Sequence, residues 1–67
     1  MNEEKRAISS ILETQALGLE VAKNKGHYDS MLMHLENIKE FVGKGKKAGL
    51  DNNIITKYEN IIKRSTN

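Results

Sequence analysis

The chain has 67 residues and a mass of 7.6 kDa, enough for one small domain, 1–67, that buries only about 60% of the surface its unfolded form exposes. With 0 Cys, disulfides and thiolate zinc sites are excluded, so the thin core must rely on long helices or on oligomerisation. Lys and Arg total 11 and Asp and Glu total 9, a balance too even to drive nucleic-acid binding by net charge alone.

The charge and the apolar residues are unevenly distributed along the chain. Residues 1–33 carry four basic and five acidic groups, a net charge of −1, whereas residues 34–67 carry seven and four, a net charge of +3. No apolar run approaches the roughly 20 residues that span a bilayer, and no apolar signal region follows the N-terminus. We therefore expect a cytoplasmic protein without a membrane partner. The many Asn, Lys and Ile residues suggest AT-rich codons, as in a low-GC bacterium or its phage.

The first helix is predicted at about residues 3–24. Asn2 can cap it, and Gly26 is a natural stop because glycine tolerates the left-handed conformation. At 100° per residue, one stripe of side chains forms the predicted core face. Its members are Ile8, Ile11, Leu12, Gln15, Leu19 and Ala22.

The second helix is predicted at residues 29–47, with Asp29 as its cap. Gly43 and Gly45 weaken its last turns, so we expect it to fray or end between Val42 and Ala48, before a definite stop at Gly49. Its core stripe is predicted to contain Tyr28, Met31, Leu32, Leu35, Ile38 and Val42.

The third helix is predicted at residues 52–64, with Asp51 as its N-cap and a disordered tail at 65–67. Two long helices joined by a short loop favour an antiparallel hairpin, over which the shorter third helix folds back. The predicted fold class is therefore all-α, a three-helix bundle. The third core stripe contains Ile54, Ile55, Tyr58, Ile61 and Ile62.

Several apolar side chains are left over by these core stripes. Leu17 and Val21 point away from the stripe of the first helix. Phe41 lies at the edge of the second stripe, and Met33 points to the opposite side of that helix. Scattered exposed apolar residues are normal, and the third helix could also cover them. Alternatively, Leu17, Val21 and Phe41 form a second buried face that packs against another copy or a partner. Burying each would contribute roughly 1.5–3 kcal/mol, which favours a homodimer or a higher oligomer.

Catalysis and cofactor binding are poorly supported by the sequence. The Glu residues fall mostly on solvent faces, so we expect no enzyme, no cofactor and no small-molecule substrate. His27, Asp29 and His34 are residue types that can bind a metal ion, but their spacing is not that of a metal site. We therefore predict no metal. The lysine-rich segment 43–47 lacks the preceding strand and the Ser or Thr of a phosphate loop.

The segment 41–60 resembles the turn and recognition helix of helix-turn-helix DNA-binding proteins. Gly45 stands four positions before the turn residue Gly49, and an aliphatic and a capping residue follow that turn. Ile55 and Tyr58 match the buried positions of a recognition helix. The residues that carry the resemblance are Gly45, Ala48, Gly49, Leu50, Asp51, Ile55, Lys57, Tyr58 and Glu59.

This resemblance implies a set of DNA-facing side chains. Asn can bind adenine through two hydrogen bonds, and Lys can bind guanine. The implied nucleic-acid-binding residues are Lys44, Lys46, Lys47, Asn52, Asn53, Thr56, Lys57 and Asn60. The leading hypothesis is a small protein-binding regulator or inhibitor that uses a helical face, and the second is a DNA-binding regulator that uses residues 44–60. A third is a structural subunit of a larger assembly.

Overall fold

A computed structural model describes residues 3–65, which form three α-helices. Helix α1 spans Glu3–Lys25, α2 spans Tyr28–Ala48 and α3 spans Asn52–Ser65. Helix α1 packs along α2, and α3 packs back onto α2. The predicted all-α three-helix bundle is confirmed. The proposed cap at Asn2 and the tail residues Thr66 and Asn67 lie outside the described residues, whereas Ser65 belongs to α3 rather than to a disordered tail.

The core lies where the three helices meet. Leu12 of α1 and Ile38 of α2 are completely buried, with exposed fractions of 0%. Burying such aliphatic side chains supplies most of the stabilisation available to a chain this short. The other buried apolar residues are Ile8, Leu19, Ala22, Leu35, Val42, Leu50, Ile55 and Tyr58.

Two predicted members of the α2 core stripe are exposed instead. Tyr28 and Leu32 have exposed fractions of 68% and 46%, because they lie on the flank of α2 beyond the contacts with the other helices. Asp29 does not cap α2 either. The helix begins at Tyr28, and His27 occupies the cap position without a side-chain hydrogen bond.

Left-handed glycines end the first two helices, as predicted. Gly26 has a φ of 71° and Gly49 a φ of 79°, a conformation that side-chain-bearing residues rarely adopt. Helix α2 does not fray before this point. It continues through Gly43 and Gly45 to Ala48, because the core contacts of Val42 and of Gly45 itself hold its last turns against α3.

Candidate functional site

A groove of about 390 Å³ lies between α1 and α2. Ala7, Ile8 and Ile11 form its α1 wall, and Phe41 and Ala48 lie on the α2 side. Charged groups from Glu4, Lys44 and Lys47 border it. No residue of α3 lines this groove, so it lies on the surface of the hairpin that α3 leaves uncovered.

We call this uncovered surface of the hairpin the open face. Besides the groove, it includes the positions that helical periodicity places on the same side of α1 and α2. Its members are Glu3, Ala7, Ser10, Ile11, Thr14, Leu17, Gly18, Val21 and Lys25 of α1 and Ser30, Met33, Asn37, Phe41 and Lys44 of α2.

Large exposed apolar side chains stand at the other end of the open face, near the α1–α2 turn. Leu17 is 64% exposed, Val21 52% and Met33 53%. Phe41 differs from the other two predicted interface residues, because it is partly buried against the core and lines the groove. The structure therefore places Leu17 and Val21 together and separates them from Phe41 along the hairpin.

Partly buried polar side chains join α1 to α2 beneath the middle of the open face. Gln15 Oε1 accepts a hydrogen bond from Asn37 Nδ2 at 3.2 Å and lies 2.7 Å from His34 Nδ1. The His34 ring also covers Gly18, where a Cβ, if one were present, would lie 2.5 Å from Cε1. Gly18 therefore admits a side chain from α2 between the helices. These contacts fix the height at which α1 and α2 pair.

The corner between α2 and α3 is closely packed. A Cβ on Gly45 would lie 3.0 Å from Leu50 Cδ2 and 3.1 Å from Ile55 Cδ1, so glycine lets both side chains reach the α2 backbone. The Leu50 N–H donates to the Gly45 carbonyl at 2.8 Å. Asp51 caps α3 as predicted, since its Oδ1 accepts from the Asn53 N–H at 2.9 Å.

The outward face of α3 carries the predicted recognition residues, and all five are exposed. They are Asn52, Asn53, Thr56, Lys57 and Asn60. Lys46 lies beside them, because its Nζ is 2.6 Å from Glu59 Oε2. Lys44 and Lys47 do not join this group but border the groove. Lys44 pairs with Glu40 at 3.3 Å and lies 4.6 Å from the Phe41 ring centroid.

The other titratable groups and a second groove lie elsewhere in residues 3–65. This part of the chain has no group of three or more His, Asp or Glu residues placed to hold a metal ion. Burial raises the pKa of the Tyr58 hydroxyl above its ordinary value of 10.0, and the Glu13 carboxylate raises it further.

A second groove, of about 370 Å³, opens between Leu19 of α1 and Ile61 of α3. None of the helices in the described range is long and apolar enough to cross a bilayer.

Sequence reasoning missed the groove and left Met33 out of the predicted interface. A signal for the groove exists in α1, where a second stripe runs beside the core stripe at alternating spacings of four and three. That stripe is Ala7, Ile11, Thr14, Gly18 and Val21. Such spacing is typical of a helix that packs on two neighbours at once. Its small residues make it inconspicuous among the bulkier core positions.

Comparisons with protein-family models, with curated proteins and with solved structures found no match to this chain.

Proposed function

We propose that this protein is a small non-enzymatic binding module, a regulator or inhibitor, that docks onto another protein chain through the open face. One observation carries the proposal. A single surface combines an apolar groove with Leu17, Val21 and Met33, each more than half exposed. Burying apolar surface stabilises a complex by about 25 cal/mol for each Å² removed from water. A partner that covers this face therefore gains affinity from it.

The arrangement of charges supports a protein partner for this face. The polar contacts of Gln15 with His34 and Asn37 are already made within the chain, so covering them leaves few groups unsatisfied. Lysines and glutamates stand at the rim, where charged residues set the orientation of a partner rather than its affinity. We place this binding in the cytoplasm and infer a phage or mobile-element origin from the composition.

The test is a comparison of two matched variants as baits. Val21→Asp places a charge on the open face, whereas Leu32→Asp places the same charge on a similarly exposed aliphatic residue of another face. A protein captured by the wild type, identified and purified, should bind Leu32→Asp normally and Val21→Asp at least tenfold more weakly. Equal affinity for the two variants would refute docking through the open face.

DNA binding by α3 is a second candidate function, favoured by a different observation. Five exposed polar residues of α3, none of them acidic, form an outward face that the Lys46–Glu59 ion pair borders. The packing of Leu50 and Ile55 on Gly45 resembles a helix-turn-helix corner. Residues 43–65 carry six basic and two acidic groups. A positive, amide-rich helix suits a major groove.

Salt dependence tests this second candidate. Binding to a fluorescent duplex should weaken steeply as salt rises, because each neutralised phosphate releases counterions. Lys57→Ala should lower the salt slope by about 1, whereas Lys39→Ala on α2 should not. Absence of binding at low salt, or equal slopes for both variants, would reject it.

A further inference from the structure

We propose that the occupant of the open face is a second copy of this chain, packed antiparallel about a two-fold axis that crosses α1 at Thr14 and α2 at Asn37. The inference rests on the proposed docking through the open face and names the partner. In this dimer, each helix of the hairpin lies antiparallel against the same helix of the second copy.

The hydrogen bonds within the hairpin show which residues of α1 and α2 lie at the same level, so that one axis can cross both helices there. Gln15 accepts from Asn37 across the helix pair, so Thr14, the residue before Gln15, lies at nearly the same height as Asn37. A two-fold axis at that height therefore relates α1 and α2 to their copies in one register. Thr14 then faces Thr14 of the second copy at the centre of the interface, and Asn37 faces Asn37 of the second copy.

In this register, the groove of each copy faces the exposed apolar residues of the other. Ala7 and Val21 lie seven residues on either side of Thr14, and Ile11 and Leu17 lie three residues on either side. The axis therefore places Val21 of the second copy opposite Ala7. Leu17 of the second copy lies level with Ile11, on the outer side of the α1 pair.

The same pairing holds on α2. Phe41 and Met33 lie four residues on either side of Asn37, so Met33 of the second copy meets the ring that lines the groove. A parallel dimer would instead place groove opposite groove and leave the exposed side chains without a cavity. The distribution of apolar residues therefore favours the antiparallel arrangement.

Charge complementarity supports the same register. Glu3 and Lys25 lie eleven residues on either side of Thr14, so the acid at the start of one α1 meets the base at the end of the other. On α2, Asp29 lies eight residues before Asn37 and Lys44 seven residues after it. Opposite charges thus face each other at both ends of the interface, which fixes orientation.

The area of the open face is sufficient for a dimer. The 23 residues of α1 give a length of about 34 Å, and two helices side by side are about 20 Å wide. Covering this surface on both copies removes roughly 1,200 Å² or more from solvent, which reaches the range of specific protein interfaces.

Cysteine cross-linking tests the axis, because the chain has 0 Cys and any disulfide must come from the introduced residue. Thr14→Cys should give a disulfide-linked dimer under mild oxidation, since a residue on the axis faces its own copy. Thr56→Cys is the matched control, an exposed threonine on α3, and should cross-link at least tenfold more slowly. Equal rates, or no cross-link at Thr14→Cys, would overturn the proposal.

A mixing experiment tests the register. Ala7→Cys chains mixed with Val21→Cys chains should cross-link to each other faster than either does to itself, because these positions oppose each other. Faster self-linking of Ala7→Cys would indicate a parallel pair and contradict the antiparallel dimer. The proposed function can survive this result. If the chain does not dimerise but Val21→Asp still loses an identified partner that Leu32→Asp retains, only the inference about the second copy fails.

Discussion

The α2–α3 corner and the open face contain the same kinds of apolar residue but differ in how far those residues are buried. At the corner, Leu50, Ile55 and Tyr58 are all buried, with exposed fractions of 3–7%, and a glycine and an aspartate cap complete the turn. On the open face, Leu17 and Val21 remain more than half exposed. Of these two regions, only the corner buries its apolar side chains within one chain.

This difference separates folding from binding in the molecule. The corner is closed by contacts between neighbouring segments, such as the hydrogen bond from Leu50 to Gly45. Under the open face, the contacts of Gln15 with His34 and Asn37 hold α1 and α2 in register. The apolar residues of the open face point outward. We therefore expect substitutions in the core and at the corner to change stability and substitutions on the open face to change association.

The largest effect is expected at the centre of the core, which both regions share. Ile38→Ala removes a completely buried side chain and should lower the free energy of unfolding by about 2–5 kcal/mol. Leu32→Ala, on an exposed flank of the same helix, should change it by less than about 0.5 kcal/mol. Urea denaturation followed by circular dichroism measures both. Equal losses would show that the core is not where the structure places it.

Overpacking the corner should give the next largest effect. Gly45→Val forces Leu50 and Ile55 away from α2 and should cost about 1–3 kcal/mol. Gly43→Val is the matched control, because nothing lies within 4 Å of a Cβ at Gly43, and valine is the better helix former. Thermal denaturation should place the Gly43→Val variant at or above the wild type. A neutral Gly45→Val would contradict the close packing at this corner.

Removing the cap of α3 should have a moderate effect. Asp51→Ala leaves the Asn53 N–H without its acceptor and should lower the free energy of unfolding by about 1 kcal/mol. Asp51→Asn retains a capping oxygen and should recover most of the loss. Denaturant titration of both variants distinguishes capping from a general effect of charge at this position, since Asp51→Asn would be as destabilised as Asp51→Ala in the second case.

The smallest expected effect is a pH dependence at the corner. Burial and Glu13 raise the pKa of Tyr58 above 10.0 in the folded chain, so the folded state favours the neutral hydroxyl. The resulting stability is fully present below pH 10 and is lost as the pH rises above it. Tyr58→Phe should flatten this alkaline loss, whereas Tyr28→Phe, at an exposed tyrosine, should keep the wild-type profile. If Tyr58→Phe loses as much stability at alkaline pH as the wild type, Tyr58 is not the source of that loss.

Most of the fold could be predicted from local sequence signals. Gly26, Gly49 and Asp51 mark the helix boundaries because each has a conformational or hydrogen-bonding role that few residues share. The exposure of Tyr28 and Leu32 could not be predicted, because the flank of α2 that α3 covers depends on how far along α2 the third helix reaches. Helical periodicity gives the direction of a side chain but not the extent of its neighbour.

The candidate site was only partly predictable for a related reason. Leu17 and Val21 are identifiable as surplus because they oppose a strong core stripe. Periodicity alone groups Phe41 with them, although the pairing of Gln15 with Asn37 places it at the opposite end of the hairpin. The groove at Ala7 and Ile11 arises from the packing of two helices, and neither helix reveals it alone.

The mass of the wild-type protein in solution tests the central claim most directly. Sedimentation equilibrium at increasing concentration should show a species of about twice the 7.6 kDa chain mass. Val21→Asp should shift it to the single-chain mass while Leu32→Asp remains a dimer. A wild type that stays at the single-chain mass at millimolar concentration would contradict self-association through the open face.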